Sequence, residues 1–290
     1  MQSNTKCIVF SDLDGTLLDH FDYSFNAALP AIATLQSNNI PIIINTSKTF
    51  AEVVDLQKNL TISAPFIVEN GAAIFFPKSY TSQCPDECIE YGDYWMKTFS
   101  QPRTAWIELL KREGKAFQDQ FQGFSELTNK SIANLTGLSL EDADKANQRL
   151  FNEPVLWHDT PAKAQAFIDH IRSHGANVLK GGRFIHVGDF TDKGRALNWL
   201  TNLYQSASNT AIKTIALGDG ENDTAMLETA HIAVQIRSPV HSFPILDDEN
   251  FIYQTREYGP KGWAEAMNFL YQDLLIQNAL ITERQEKKYG

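Results

Sequence analysis

Cysteine is scarce in this chain, with only Cys7, Cys84 and Cys88 in 290 residues. That excludes the dense disulfide framework of small secreted folds, and Cys84 and Cys88 lack further partners at a zinc-ligand spacing. Positive charge is also in deficit: 25 Lys and Arg stand against 35 Asp and Glu, a formal net charge of −10. A broad basic surface for nucleic acid or anionic membrane is therefore excluded, whereas a small anionic substrate needs only local positive charge or a metal. No apolar run is long enough to span a bilayer, and there is no internal repeat or low-complexity segment. With no charged leader followed by an apolar core, the expected compartment is the cytoplasm. Nothing in the composition fixes an oligomeric state.

What the chain does have is core-forming material and a recurring β/α alternation. "CIVF" (7–10) reads as a strand, 24–38 as a helix, "IPIIIN" (40–45) as a strand buried on both faces, 49–59 as a helix and "PFIVE" (65–69) as a third strand. The alternation returns with a helix over 193–205, strands at "KTIALGD" (213–219) and "IAVQI" (232–236), a helix over 221–230 and a last helix from about Lys261. The expected fold class is α/β, a Rossmann-like doubly wound parallel sheet core interrupted by an α+β insertion. The core takes residues 1–83 and 189–290, and the insertion 84–188. Within the insertion, Thr160-Pro161 reads as a helix cap and first turn. Gly181-Gly182, between two apolar runs, reads as a two-residue hairpin turn.

Four polar signals fall at strand ends of the core, where open α/β sheets bind ligands. They are Asp12 and Asp14 in "SDLDGT", Thr46 and Ser47 in "INTSKT", Lys193 in "TDKGRA", and "GDGENDTAML" over 218–227. Each has a plain structural explanation as a turn, a cap or a solvated charge, but the four in this order supply the parts of phosphoryl transfer. Asp12 offers a carboxylate nucleophile that would form an aspartyl-phosphate. Asp12, Asp14 and Asp219 suit Mg²⁺, a hard cation that takes oxygen ligands and also binds phosphate. Lys193 adds positive charge, the Thr46 hydroxyl can hold phosphoryl oxygens, and the Asp14 side chain can serve as acid and then base.

These motifs, with the intervening insertion, resemble the haloacid dehalogenase superfamily of phosphatases, specifically the sugar-phosphatase branch that carries a C2-type cap. Within that branch "NTSKT", "VENGAAIF", "GGRFIHVGDFTDKGRA" and "GPKGW" resemble the mannosyl-3-phosphoglycerate phosphatases. The resemblance implies a Mg²⁺-dependent hydrolysis of mannosyl-3-phosphoglycerate, with Asp12 as nucleophile, Asp14 as acid/base, and Thr46 and Lys193 on the phosphate. It places the metal on Asp12, the Asp14 carbonyl and Asp219, with Asn222 and Asp223 supporting or ligating, and places Ser47, Lys48 and Asn70 at the substrate. Lys48 stands where many sugar phosphatases of the branch have arginine, in keeping with this narrower group. A broader sugar-phosphate phosphatase, a phosphomutase and a phosphate-binding regulator are the competing readings.

Substrate choice is expected from the insertion. If Gly181-Gly182 is a two-residue turn, Lys180 and Arg183 flank it on one side and could clamp a glycerate carboxylate. His186, between Ile185 and Val187, reads more readily as a packed or surface residue than as a ligand. "EYGDYW" (90–95) and Trp263 could line a sugar pocket, but aromatics in such contexts are more often part of a core.

Overall fold

A computed structural model describes residues 7–180, 183–208, 211–247 and 251–272 of the chain. The strands are β1 (Cys7–Ser11), β2 (Ile42–Asn45), β3 (Phe66–Val68), β4 (Ala73–Pro77), β5 (Ile89–Tyr91), β6 (Tyr94–Thr98) and β7 (Phe121–Gly123). They continue with β8 (Glu153–Trp157), β9 (Asn177–Lys180), β10 (Ile185–Gly188), β11 (Lys213–Gly218), β12 (Ile232–Arg237) and β13 (Phe251–Tyr258). The α-helices are α1 (Leu29–Ser37), α2 (Phe50–Leu60), α3 (Arg103–Glu113), α4 (Asn129–Thr136), α5 (Leu140–Asn147), α6 (Pro161–Ser173), α7 (Lys193–Ser208) and α8 (Thr224–Thr229). A further helix runs over 259–272. The chain forms two compact units, Met1–Ile44 with Leu197–Gly290, and Asn45–Ala196.

The first unit carries the strand order β13-β12-β11-β1-β2, every neighbouring pair parallel. Ile8, Val9, Phe10, Ile43, Ile44, Ala216 and Leu217 are fully sealed from solvent, which is why these strands read as unbroken apolar runs rather than alternating ones. Edge strand β13 is mostly exposed, and its polar, alternating sequence gave no buried run to read. The first helix is shorter than its periodicity predicts. Asn26–Ala28 form a 3₁₀ turn, and Pro30 sits in the first turn of α1, where its missing N–H costs no hydrogen bond. Trp263 is wholly buried, and its Nε1–H donates to Ser11 Oγ at 3.0 Å, which donates in turn to the Asp12 carbonyl at 2.7 Å. The indole thus fixes the backbone where β1 ends.

The second unit holds the antiparallel run β3-β4-β6-β5, which belongs to a nine-stranded sheet in the order β13-β12-β11-β1-β2-β3-β4-β6-β5, and a separate four-stranded antiparallel sheet, β7-β8-β10-β9. "EYGDYW" makes the β5–β6 hairpin. Tyr91 and Tyr94 turn their rings edge-on to Phe50, at 5.3 and 5.0 Å, so they belong to an aromatic cluster. In the other sheet Val155, Val178, Ile185 and Val187 pack with Trp106, Leu109 and Leu110 of α3 and with Phe167, Ile168 and Ile171 of α6. Thr160 caps α6 by accepting from the Lys163 N–H, and Pro161 occupies its first turn.

Glu69 ties the two sheets of this unit together. Its side chain is fully buried and accepts from the backbone N–H groups of Leu150, Phe151 and Asn152 (2.7, 3.1 and 3.1 Å) and from Asn152 Nδ2 at 2.7 Å. Arg149 Nε stands 3.6 Å from the same carboxylate, and its Nη2 donates to the Ser47 carbonyl at 2.8 Å. Donors so placed replace the water that a buried carboxylate gives up. Glu69→Ala would strand four donors and Arg149, with an expected loss of about 3–5 kcal/mol in urea unfolding. Glu69→Gln keeps one acceptor oxygen and should lose less. Wild-type stability in Glu69→Ala would show that apolar contacts alone hold residues 149–152.

Candidate active site

Parallel strands β1 and β11 end side by side. Ser11 pairs with Leu217, and Asp12 N–H donates to the Leu217 carbonyl at 2.9 Å, so the residues that follow both strands emerge together. Asp12, Asp219 and Asp223 are 5%, 6% and 0% exposed, and each offers a carboxylate oxygen within 4.8 Å of the others. At an effective dielectric near 20, each such pair repels by about 3 kcal/mol. Hard oxygen donors crowded out of water are the donor set that a divalent cation such as Mg²⁺ takes. The residues present therefore fit the metal.

Local backbone features set these carboxylates. Asp223 Oδ2 accepts from the Asp219 and Gly220 N–H groups, both at 3.1 Å, closing the turn between β11 and α8. A Cβ at Gly218 would meet the Asp223 side chain at 2.5 Å. Gly15 has φ +79°, and a Cβ there would lie 2.5 Å from Asp219 Oδ2. Thr16 Oγ1 donates to Asp219 Oδ1 at 3.3 Å, and His241 Nε2 lies 3.3 Å from Asp219 Oδ2. Sequence reading missed Thr16 and His241. Thr16 could have been taken from its place in "DLDGT", whereas His241 has no motif to announce it. The Asp14 carboxylate stands outside the triad, and Asn222 is exposed on the turn that ends at Asp223.

The second unit brings another group of the expected residues together. Thr46 is fully buried just after β2, its N–H donating to the Ile67 carbonyl at 3.1 Å and its own carbonyl accepting from Asn70 N–H at 2.9 Å. Lys48 N–H donates to Thr46 Oγ1 at 3.2 Å, and the Lys48 ammonium lies 3.7 Å from Glu52. The Ser47 carbonyl takes the Arg149 bond described above. Thr49 caps α2 in a reciprocal capping box with Glu52. Lys193, at the start of α7, is also fully buried, and Asn45 Nδ2 donates to its carbonyl at 3.0 Å. Gly71 (φ +87°) approaches so closely that a Cβ would stand 2.1 Å from the Asp192 carbonyl oxygen. Thr46, Asn70 and Lys193 are thereby held in one backbone network.

The expected pairing of Lys180 with Arg183 is not what the hairpin builds. Ile185 pairs with Lys180, so four residues, 181–184, connect β9 to β10. Gly181 and Gly182, expected to form the turn, lie outside the described residues. Strand alternation puts Lys180 on the face of Ile185 and Val187, where α3 and α6 pack. Phe184 packs edge-on against Phe124 at 4.8 Å, and Arg183 Nη1 donates to the Leu135 carbonyl in the last turn of α4. The two cations therefore do not directly flank a two-residue turn, contrary to the expectation from the sequence.

A second cluster, Glu113, His170 and His174, could also hold a cation by proximity. Its imidazoles already serve helix ends: His170 Nε2 lies 3.0 Å from the Glu113 carbonyl and His174 Nδ1 lies 2.8 Å from the His170 carbonyl. His186 is different. Burial, with a smaller push from Arg149, lowers its pKa to about 4.

With this geometry in place, similarity to known proteins becomes informative. Residues 9–239 match the haloacid dehalogenase-like hydrolase family, and the chain belongs to it. It is 35% identical over 273 residues to a glucosyl-3-phosphoglycerate/mannosyl-3-phosphoglycerate phosphatase of Methanococcoides burtonii, covering 94% of this chain and 98% of that protein. A protein of the same description from Persephonella marina is 36% identical over 270 residues, covering 90% and 95%. A phosphatase structure of the superfamily from Bacteroides thetaiotaomicron superposes with a TM-score of 0.64 at 16% identity, over 91% of this chain and 95% of that one. A subclass IIB sugar phosphatase of the superfamily gives 0.60 at 18% identity, over 91% and 99%. These two structures establish the shared fold.

Two outcomes follow from the site. Gly15→Ala combines a left-handed φ with a collision against Asp219, so it should weaken Mg²⁺ retention by roughly tenfold or more. A Mg²⁺ titration followed by thermal shift would read this, and a wild-type midpoint would contradict the placement of Asp219. The lowered pKa of His186 means that the unfolded chain binds the proton more readily. Stability should therefore fall as pH drops from about 6.5 toward 4, by up to roughly 3 kcal/mol from this residue. His186→Gln should flatten that part of a stability-versus-pH curve, and an unchanged slope would show that the imidazole is solvated.

Proposed function

We propose that this chain is a Mg²⁺-dependent phosphatase that hydrolyses the phosphomonoester of a glucosyl- or mannosyl-3-phosphoglycerate through an aspartyl-phosphate. The observation that carries the reading is the buried Asp12–Asp219–Asp223 triad at the ends of adjacent parallel strands. Family membership supports the hydrolytic chemistry, and the names of the two relatives support the substrate. Catalysis is assigned to residues 1–83 and 189–290, with residues 84–188 as the cap that reads the organic part of the substrate. Cytoplasmic action agrees with three cysteines that are all free thiols.

Asp12, Asp219 and Asp223 would hold the Mg²⁺, with the Asp14 carbonyl as a further ligand and Asn222 in support. Bound there, the cation neutralises charge on the phosphoryl group and so lets an anionic nucleophile approach an anionic ester. An Asp12 carboxylate oxygen attacks phosphorus and the ester P–O bond breaks. The Asp14 carboxylic acid gives its proton to the departing glycerate oxygen, which leaves as a hydroxyl. Asp14, now a carboxylate, takes a proton from water, the water oxygen attacks the phosphoryl group, and the bond to Asp12 breaks to release phosphate. The Asp14 carboxylate standing outside the triad supports this division of labour. Thr46 and Lys193 are assigned to the phosphoryl oxygens, Thr46 through its hydroxyl and Lys193 through its ammonium. Its buried place at the start of α7, where Asn45 Nδ2 donates to its carbonyl, supports the Lys193 assignment by fixing where the side chain begins.

Asp12→Asn tests the covalent step, since the amide is nearly isosteric but a poor nucleophile. Phosphate release from mannosyl-3-phosphoglycerate with Mg²⁺ should fall at least roughly 10³-fold, while the thermal melt stays cooperative. Turnover near the wild-type rate in a folded Asp12→Asn protein would exclude the aspartyl-phosphate.

A further inference from the structure

Helices α3 and α6 of the second unit pack with the β7-β8-β10-β9 sheet through Trp106, Leu109, Leu110, Phe167, Ile168 and Ile171. Their C-terminal ends carry three groups that the phosphoryl chemistry does not use. Glu113 is the last residue of α3, His170 lies in the last turn of α6, and His174 is the C-cap of α6. His170 and His174 are four residues apart and share one helix face, with ring centroids 4.6 Å apart. One ligand atom from each of the three residues lies within 4.8 Å of the other two.

The bonds to the helix ends orient these rings and occupy only one nitrogen of each. A carbonyl oxygen only accepts, so the His174 Nδ1 that lies 2.8 Å from the His170 carbonyl carries a proton. The Ser173 hydroxyl, 3.2 Å from the same nitrogen, donates its own hydrogen to that carbonyl at 2.7 Å and leaves Nδ1 as a donor. The neutral ring then presents its lone pair at Nε2, which lies 3.2 Å from Glu113 Oε2. Two electron-pair donors at that distance repel unless a proton or a cation stands between them. His170 is tied in the same way, its Nε2 lying 3.0 Å from the Glu113 carbonyl. An imidazole that donates to a backbone carbonyl through one nitrogen, with its lone pair on the other, is how proteins orient a metal-binding histidine.

Distance and field agree with that reading. In a tetrahedral zinc site, bonds of about 2.0–2.2 Å separate neighbouring ligand atoms by roughly 3.3 Å. His174 Nε2 and Glu113 Oε2 already stand at that spacing. Arg112 Nε donates to Glu113 Oε1 at 2.6 Å and so leaves Oε2 to the imidazole. Arg172 is engaged away from the carboxylate, its Nη2 donating to the Val178 carbonyl at 2.6 Å. Both helices also end here, where the partial negative charge of a helix C-terminus favours a cation. Two imidazoles and a carboxylate suit Zn²⁺ and similar ions, whereas Mg²⁺ prefers oxygen donors throughout.

We propose that Glu113, His170 and His174 form a second metal site, which takes one Zn²⁺ ion on three protein ligands with a fourth position for water. The ion joins the C-terminal ends of α3 and α6. The Asp12–Asp219–Asp223 triad lies in the other unit of the chain and takes a different class of ion, so this site stands apart from the phosphatase reading.

The test titrates the protein with Zn²⁺ by calorimetry at about pH 7.5, where imidazole is mostly neutral, in excess Mg²⁺ to fill the oxygen-donor site. Thermal melts are recorded with and without Zn²⁺. Zn²⁺ should bind saturably and raise the melting temperature. His174→Ala, an exposed change at the end of α6, should weaken this binding at least roughly tenfold and remove the zinc-dependent rise. His170→Ala should act in the same direction. Mg²⁺ affinity in His174→Ala should stay within about twofold of wild type, because the triad shares no partner with the cluster. No saturable Zn²⁺ binding to the wild type would overturn the proposal and leave His174 and Glu113 as a simple ion pair. Unchanged Zn²⁺ affinity in folded His174→Ala and His170→Ala would overturn it as well. So would binding that survives both changes but is lost in Cys84→Ser or Cys88→Ser, which would assign the zinc to the thiols.

Discussion

Three carboxylates held out of water within 4.8 Å of one another are the constraint on which the first unit is organised. Their mutual repulsion opposes folding, so the surrounding backbone must hold them where a cation can offset it. The features around them serve that end. Two parallel strands end in register, Trp263 locks the carbonyl of Asp12 through Ser11, Asp223 closes its own turn, and glycine at positions 15 and 218 leaves space that a Cβ would fill. A fold that needed only a stable sheet would have no reason to accumulate like charge there. Such a cluster suits the hydrolytic chemistry of the haloacid dehalogenase-like family to which the chain belongs.

Much of this unit was legible in the sequence because its strands are buried on both faces and so appear as unbroken apolar runs, each stopped by polar residues where ligands bind. Asp12 and Asp219 could be found in that way. The other side of the chain was harder to read. "ANVLKGGRFIHV" does announce a hairpin, but two glycines are compatible with several turn lengths, and a change in turn length changes which residues face each other. The observed register, with Lys180 opposite Ile185, separates the Lys180–Arg183 pair and leaves His186 on the face opposite α3 and α6. Local alternation around His186 was visible in "FIHV", whereas which face the helices cover is a tertiary property. His241 was hidden for a similar reason, since its partner Asp219 lies away in sequence, whereas Trp263 was read as a core residue and is one.

The short loop Glu69–Asn70–Gly71 shows how closely parts of the second unit are coupled. All three residues have positive φ, at 49°, 57° and 87°, and only the last is a glycine. For Glu69 and Asn70 the left-handed conformation costs about 1–2 kcal/mol each, so an uncommitted loop would not adopt it. The turn it produces gives each residue a different task. Glu69 is delivered to four donors in residues 150–152, Asn70 bonds the Thr46 carbonyl through its N–H, and Gly71 lies against the carbonyl of Asp192, beside Lys193. The charge-assisted bonds of Glu69, at roughly 1.5–3 kcal/mol each, can offset the strain of the loop. Anchoring residues 149–152, holding the Thr46 carbonyl and fixing the start of α7 are therefore consequences of one strained turn, and a change in any of its three residues should be felt at all three places.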